Sequence, residues 1–139
     1  MIDTDKFMKF ELNSRIMKHD LVNTTDIELL IDQFYTAVQK DNLIGPIFNA
    51  HLKGRWYNHH QILYRFWTTV LLRRPSYVGN PVPIHFHMNL TELHFNRWLD
   101  IWCQTVDRQF EGIIAERAKH RGKTIADSFL IRIERQAKL

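Results

Sequence analysis

A chain of 139 residues, 45% hydrophobic and 24% charged, has apolar mass for one core but too little for two, so a single domain is expected. Its net charge of +4 gathers toward the carboxyl end, where basic side chains alternate with Glu116, Asp127 and Glu134 in the manner of a solvated helix face, not a nucleic-acid footprint. No apolar run approaches the roughly 18 residues of a membrane span, no signal-peptide pattern opens the chain, and the single Cys103 suits a reducing compartment, so a cytoplasmic location without membrane attachment is expected.

Taken in chain order, nearly every periodic segment is helical. Residues 1–24 are mixed and polar, an extension formed by a short extra helix or an arm. Thr25-Asp-Ile-Glu28 has the form of a capping box opening a helix. Ile27, Leu30, Ile31, Phe34, Tyr35 and Val38 then recur at spacings of three and four. This helix fades near Lys40, and Gly45-Pro46 marks a turn into a short element carrying Ile47 and Phe48. A loop from His51 to Gly54 leads to a second long helix over Trp56 to Leu72, with Trp56, Ile62, Leu63, Phe66, Trp67, Val70 and Leu71 apolar. Pro75, Gly79, Pro81 and Pro83 break the helical pattern over Pro75 to Pro83. A short helical turn is expected over Ile84 to Leu90. Thr91 then caps a helix bearing Leu93, Phe95, Trp98, Leu99, Trp102 and Val106. The last helix runs from about Glu111 to Glu134 with Ile113, Ile114, Ala118, Ile125, Phe129, Leu130 and Ile133. No strand or hairpin signal appears, so the class is all-α, with its main domain over residues 25–135.

The chemistry-bearing residues are aromatic rings and imidazoles. Tyr35 lies mid-way along an apolar face, where a buried phenol must find a partner. Trp98 offers an indole N–H, a donor with no acceptor capacity. His59 sits at the edge of the apolar face of its helix, three residues after Trp56, with His60 beside it. His85 and His87 follow the Gly/Pro break. Periodicity does not choose between them: His85 shares a face with Val82 and Met88, His87 with Ile84 and Leu90. Cys103, between Trp102 and Gln104, has the default of a small buried hydrophobe, and Trp102 that of packing.

Phe34-Tyr35, Gly45-Pro46-Ile47-Phe48, Trp56-x-x-His59, Tyr77-x-Gly79-x-Pro81 and His94-Phe95-x-Arg97-Trp98-Leu99 occur in an order that resembles the group III truncated haemoglobins, over roughly residues 26 to 130. The resemblance implies a truncated globin fold, a two-over-two helical sandwich around haem. That family places its iron ligand four residues after the proline of the Tyr-x-Gly-x-Pro stretch, which makes His85 the implied metal ligand and His87 the alternative. It also implies Tyr35, Trp98 and His59 over the ligand side of the iron, with His59 contacting ligand, gating entry or binding iron itself. Phe48 would wedge the haem plane, and Ile62, Leu63, Phe66, Trp67 and Met88 would wall the pocket. Arg73, Arg74 and Arg97 are candidate partners for the propionates. With no Cys-x-x-Cys-His attachment sequence, the implied cofactor is non-covalent haem b.

Three function classes follow. The first is a haem protein that reversibly binds O2 or another diatomic (NO, CO) or cyanide, with Tyr and Trp donors holding the ligand. The second is a haem redox enzyme, NO dioxygenase or peroxidase-like, with a reductase as candidate partner. The third is a haem-free helical interaction module, which predicts a colourless protein.

Overall fold

The computed structural model describes residues 3–6, 8, 17–74 and 88–137. From Thr24 on, five helices organise the described residues: α1 (Thr24–Lys40), α2 (Gly45–Leu52), α3 (Trp56–Leu72), α4 (Glu92–Gln109) and α5 (Ile113–Ala137). Among the described residues the only extended pairing is an isolated bridge between His19 and Phe110. The predicted break at Pro75 to Pro83 and most of the predicted turn at Ile84 to Leu90 lie outside these residues.

Helix α1 is stabilised at its start by Asn23, whose side-chain oxygen accepts the Asp26 N–H at 2.9 Å. The cap therefore falls two residues before the expected Thr25, because Thr24 and Thr25 are already helical and only Asn23 is extended. The Asp26 carboxylate reaches back to the Val22 N–H at 2.9 Å. Ile27, Leu30, Ile31, Phe34, Tyr35 and Val38 are all buried, as their period requires. After α1, one Asp41 oxygen accepts the N–H groups of Leu43 and Ile44, both at 3.0 Å, and folds the chain into α2. Gly45 is needed there: a Cβ would stand 2.8 and 2.9 Å from the carbonyl oxygens of Gln39 and Val38. Helix α2 continues through His51 to Leu52, past the predicted loop start, because Leu52 packs into the core.

Helix α3 spans the predicted residues and ends at Arg73, whose φ of 56° is left-handed. Thr91 caps α4 as expected, but Leu93 is 62% exposed. It stands two positions, or about 200°, from the stripe that begins at Phe95, so it cannot share that face. Helix α5 starts at Ile113, two residues later than predicted, because Gly112 takes a φ of 132° just before it. Ile113, in the first turn, is 77% exposed instead of apolar-facing. The inward line of α5 begins with Ala115 and Ala118.

The segment before α1 is tied to this end of the molecule. Asp20 accepts the Ile114 and Ala115 N–H groups at 2.9 and 2.8 Å, capping α5, and Leu21 is buried beside it. Helix α1 packs on α3, α4 packs on α5, and α1 meets α4, giving two helical pairs stacked two over two. Where the pairs meet, Trp102 is completely buried and donates its indole N–H to the Ala118 carbonyl at 2.8 Å. Its ring lies on Gly122, where any Cβ would come within 2.5 Å of Cδ1. That fits a packing role.

Candidate functional site

Tyr35 is the centre of the site. Only 2% of it is exposed, and its ring is surrounded by side chains from three helices. Phe34 lies at 4.7 Å, His59 edge-on at 4.8 Å, His60 at 5.5 Å, Trp56 at 5.9 Å and Phe48 at 6.4 Å, between ring centroids. Helix α4 brings the Trp98 indole within reach of the Tyr35 hydroxyl. An indole nitrogen can only donate, so the phenol oxygen accepts and the phenol proton stays available for another acceptor. Burial pushes the phenol above its ordinary range, and the Trp98 N–H acts in the opposite sense. Burial prevails, so Tyr35 is a protonated donor throughout the physiological range.

The sequence favours His59 over the neighbouring His60, and both pack on Tyr35. His59 also meets the Trp56 ring at 5.9 Å. His60 is stacked on Tyr64, with the ring planes within 12° and centroids 6.1 Å apart. Tyr64 in turn donates its hydroxyl to the Asp32 carboxylate, joining α3 to α1, and both burial and that carboxylate raise the Tyr64 phenol above its ordinary range. Burial lowers the pKa of His60 from the ordinary 6.5, partly opposed by Asp32. The Nε2 atom of His60 is enclosed without a hydrogen-bond partner among the described residues, a buried polar atom left open at the site.

Phe48 closes one side of an apolar hollow whose other walls are Leu90, Phe95, Trp98, Ala126 and Phe129, with His94 at its edge. The hollow is bounded by α2, α4 and α5, with Leu90 contributed by the residues just before α4. His94 has a part that sequence reasoning missed. Its Nδ1 accepts the Thr91 N–H at 2.9 Å, completing a reciprocal cap in which histidine replaces the usual Glu or Gln. The signal was the Thr91-x-x-His94 spacing. This bond makes Nε2 the protonated nitrogen of the neutral ring.

The remaining predicted residues divide by position. Ile62, Leu63 and Phe66 are half-buried and follow His59 at helical spacing along one side of α3. Trp67 is buried and stacked on Trp102 at 4.4 Å, so it faces the inter-helix core. Met88 is buried. Arg97 pairs with Asp41 at 3.5 Å, and Arg73 and Arg74 are exposed at the end of α3. His85 and His87 lie outside the described residues.

The chemistry of these residues suits a flat, mainly apolar cofactor carrying a polar reacting centre. The hollow has aromatic and aliphatic walls, a buried phenol retains a proton to give, and His60 Nε2 is buried without a partner.

No protein-family model matches the chain. It is 28% identical over 111 residues to the group 3 truncated hemoglobin ctb of Campylobacter jejuni, covering 74% of this chain and 87% of that protein. The crystal structure of a group III truncated hemoglobin from Campylobacter jejuni superposes with a TM-score of 0.75 at 26% identity, covering 84% of this chain and 95% of that one.

Proposed function

We propose that this chain, which resembles group III truncated haemoglobins in sequence and shares their fold, binds haem b and reversibly holds a diatomic ligand beside Tyr35 and Trp98. The observation that carries this reading is the buried Tyr35 phenol, fixed by the Trp98 indole and ringed by aromatic and imidazole side chains. Haem, when bound, supplies an iron with an open coordination position for O2, NO, CO or cyanide.

The chain's residues supply the rest. His85 gives a neutral imidazole nitrogen to the metal. Tyr35 donates its proton to the ligand, and Trp98 orients the phenol through its single N–H. His59 stands against Tyr35, ring to ring at 4.8 Å, and controls what enters. Phe48 holds the cofactor edge, with Ile62, Leu63, Phe66 and Met88 as apolar walls that exclude water. Trp67 supports this wall from the core side. A hydrogen bond from such a donor contributes about 0.5–1.5 kcal/mol net, and more if charge builds on the acceptor.

The same donors favour a second reading, a haem redox enzyme supplied by a reductase, because a retained phenol proton also polarises an O–O bond. Turnover with NO or peroxide separates it from simple binding. Cytoplasmic residence is part of the proposal; no helix among the described residues is long and apolar enough to cross a membrane.

The test is the visible spectrum of haem-reconstituted protein, oxidised, reduced and with CO, for wild type, His85→Ala and His87→Ala. An intense Soret band that shifts with CO and is disrupted only in His85→Ala is the expected result. Disruption only in His87→Ala moves the metal ligand to that residue, and a colourless wild type refutes the haem reading.

A further inference from the structure

We propose that Trp98, Trp102 and Trp67 form a hole-transfer chain that carries an oxidising equivalent from the haem pocket into the buried core when the protein meets hydrogen peroxide. The proposal rests on the haem reading above and adds an activity to it.

The geometry is that of a stack. Trp98 and Trp102 lie four residues apart on one face of α4, their planes within 8° and their centroids 6.2 Å apart. Trp67 reaches across from α3 and stacks on Trp102, 4.4 Å away and tilted by 25°. Phe34 clamps the first pair edge-on, 5.4 Å from Trp98 and 5.0 Å from Trp102. Three overlapping indoles thus run from the half-buried Trp98, next to Tyr35, to two fully enclosed rings. Filling the core does not require indoles: a buried Trp brings an N–H that must be satisfied, and Trp102 spends the Ala118 carbonyl on it.

That hydrogen bond also determines what an oxidised Trp102 can do. A backbone carbonyl does not take up a proton, so the ring keeps its N–H and remains a radical cation able to pass the hole onward. At Trp98 the N–H faces the Tyr35 oxygen, which already carries its own proton. The hole therefore migrates by electron transfer alone. As the O–O bond of hydrogen peroxide breaks, the oxidant takes two electrons and two solvent protons and leaves as two waters. Haem, when bound, would supply one of these electrons, and Trp98 the other. Trp102 refills Trp98, and Trp67 refills Trp102. Two electrons from an external donor such as ascorbate restore the resting state, one refilling Trp67 and one the haem.

The experiment treats haem-loaded protein with hydrogen peroxide, records its Soret band and electron paramagnetic resonance spectrum, and maps oxygen adducts on each Trp and Tyr by mass spectrometry. The expected map places adducts at the buried Trp102 and Trp67 in preference to Tyr57, which is 75% exposed. In Trp102→Phe the Trp67 adduct is lost and the Trp98 adduct rises. In Trp67→Phe, a milder change because it leaves the Ala118 bond intact, the adducts end at Trp102. Adducts confined to exposed side chains, or a Trp67 adduct that persists in Trp102→Phe, overturn the chain while leaving haem binding standing. A sample with no Soret band overturns the haem reading and the chain with it.

Discussion

At the scale of single residues the site depends on one phenol and one indole supplied by different helices. The position of Tyr35 is legible in the sequence, since α1 repeats its apolar residues at helical spacing and Tyr35 falls inside the stripe. Its partner is not legible from local pattern, because Trp98 lies on α4 and only the crossing of α1 over α4 brings them together. A testable consequence is the alkaline behaviour of Tyr35. Burial raises its folded-state pKa above the ordinary 10.0, so its contribution to stability is fully present below pH 10. It is lost as the pH rises further, because the unfolded chain then releases a proton that the folded chain keeps. Urea unfolding of wild type and Tyr35→Phe between pH 8 and 11 should show the wild type losing ground to the variant only above pH 10. A constant difference between the two proteins would show that the phenol is not shielded.

At the scale of elements, the local pattern locates the helix bodies well and their ends less well. The stripe of α1 and the extent of α3 follow from period alone. The starts of α1 and α5 do not, since Asn23 outcompetes the Thr25 box and Asp20 caps α5 from a position distant in sequence. Replacing Asp20 with Ala should cost about 0.5–2 kcal/mol by leaving the Ile114 and Ala115 N–H groups without their acceptor, read as a lower urea midpoint with an unchanged slope. Gly122→Ala acts on the α4–α5 contact. Its new methyl would meet Trp102 at 2.5 Å from Cδ1 and 2.6 Å from Nε1, costing about 1–3 kcal/mol by overpacking. Thermal unfolding checks this, and an unchanged midpoint would mean that α5 shifts freely past the indole.

At the scale of the whole molecule, the two-over-two stacking places donors from α1 and α4 and histidines from α3 around one region, beside an apolar hollow between α2, α4 and α5. Composition and period gave the all-α class. The arrangement of the helical pairs and the haem came only through family resemblance, because helical spacing says which face is apolar and not which helix covers it. The His85 assignment has the same origin. The central claim, that Tyr35 and Trp98 act on a ligand held at haem, is tested most directly by stopped-flow dissociation of O2 from the reduced, haem-loaded protein. Tyr35→Phe should release O2 faster, by several-fold up to about tenfold, as expected for one hydrogen bond of about 0.5–1.5 kcal/mol, and Trp98→Phe should also speed release. A Tyr35→Phe rate equal to that of wild type would contradict the account.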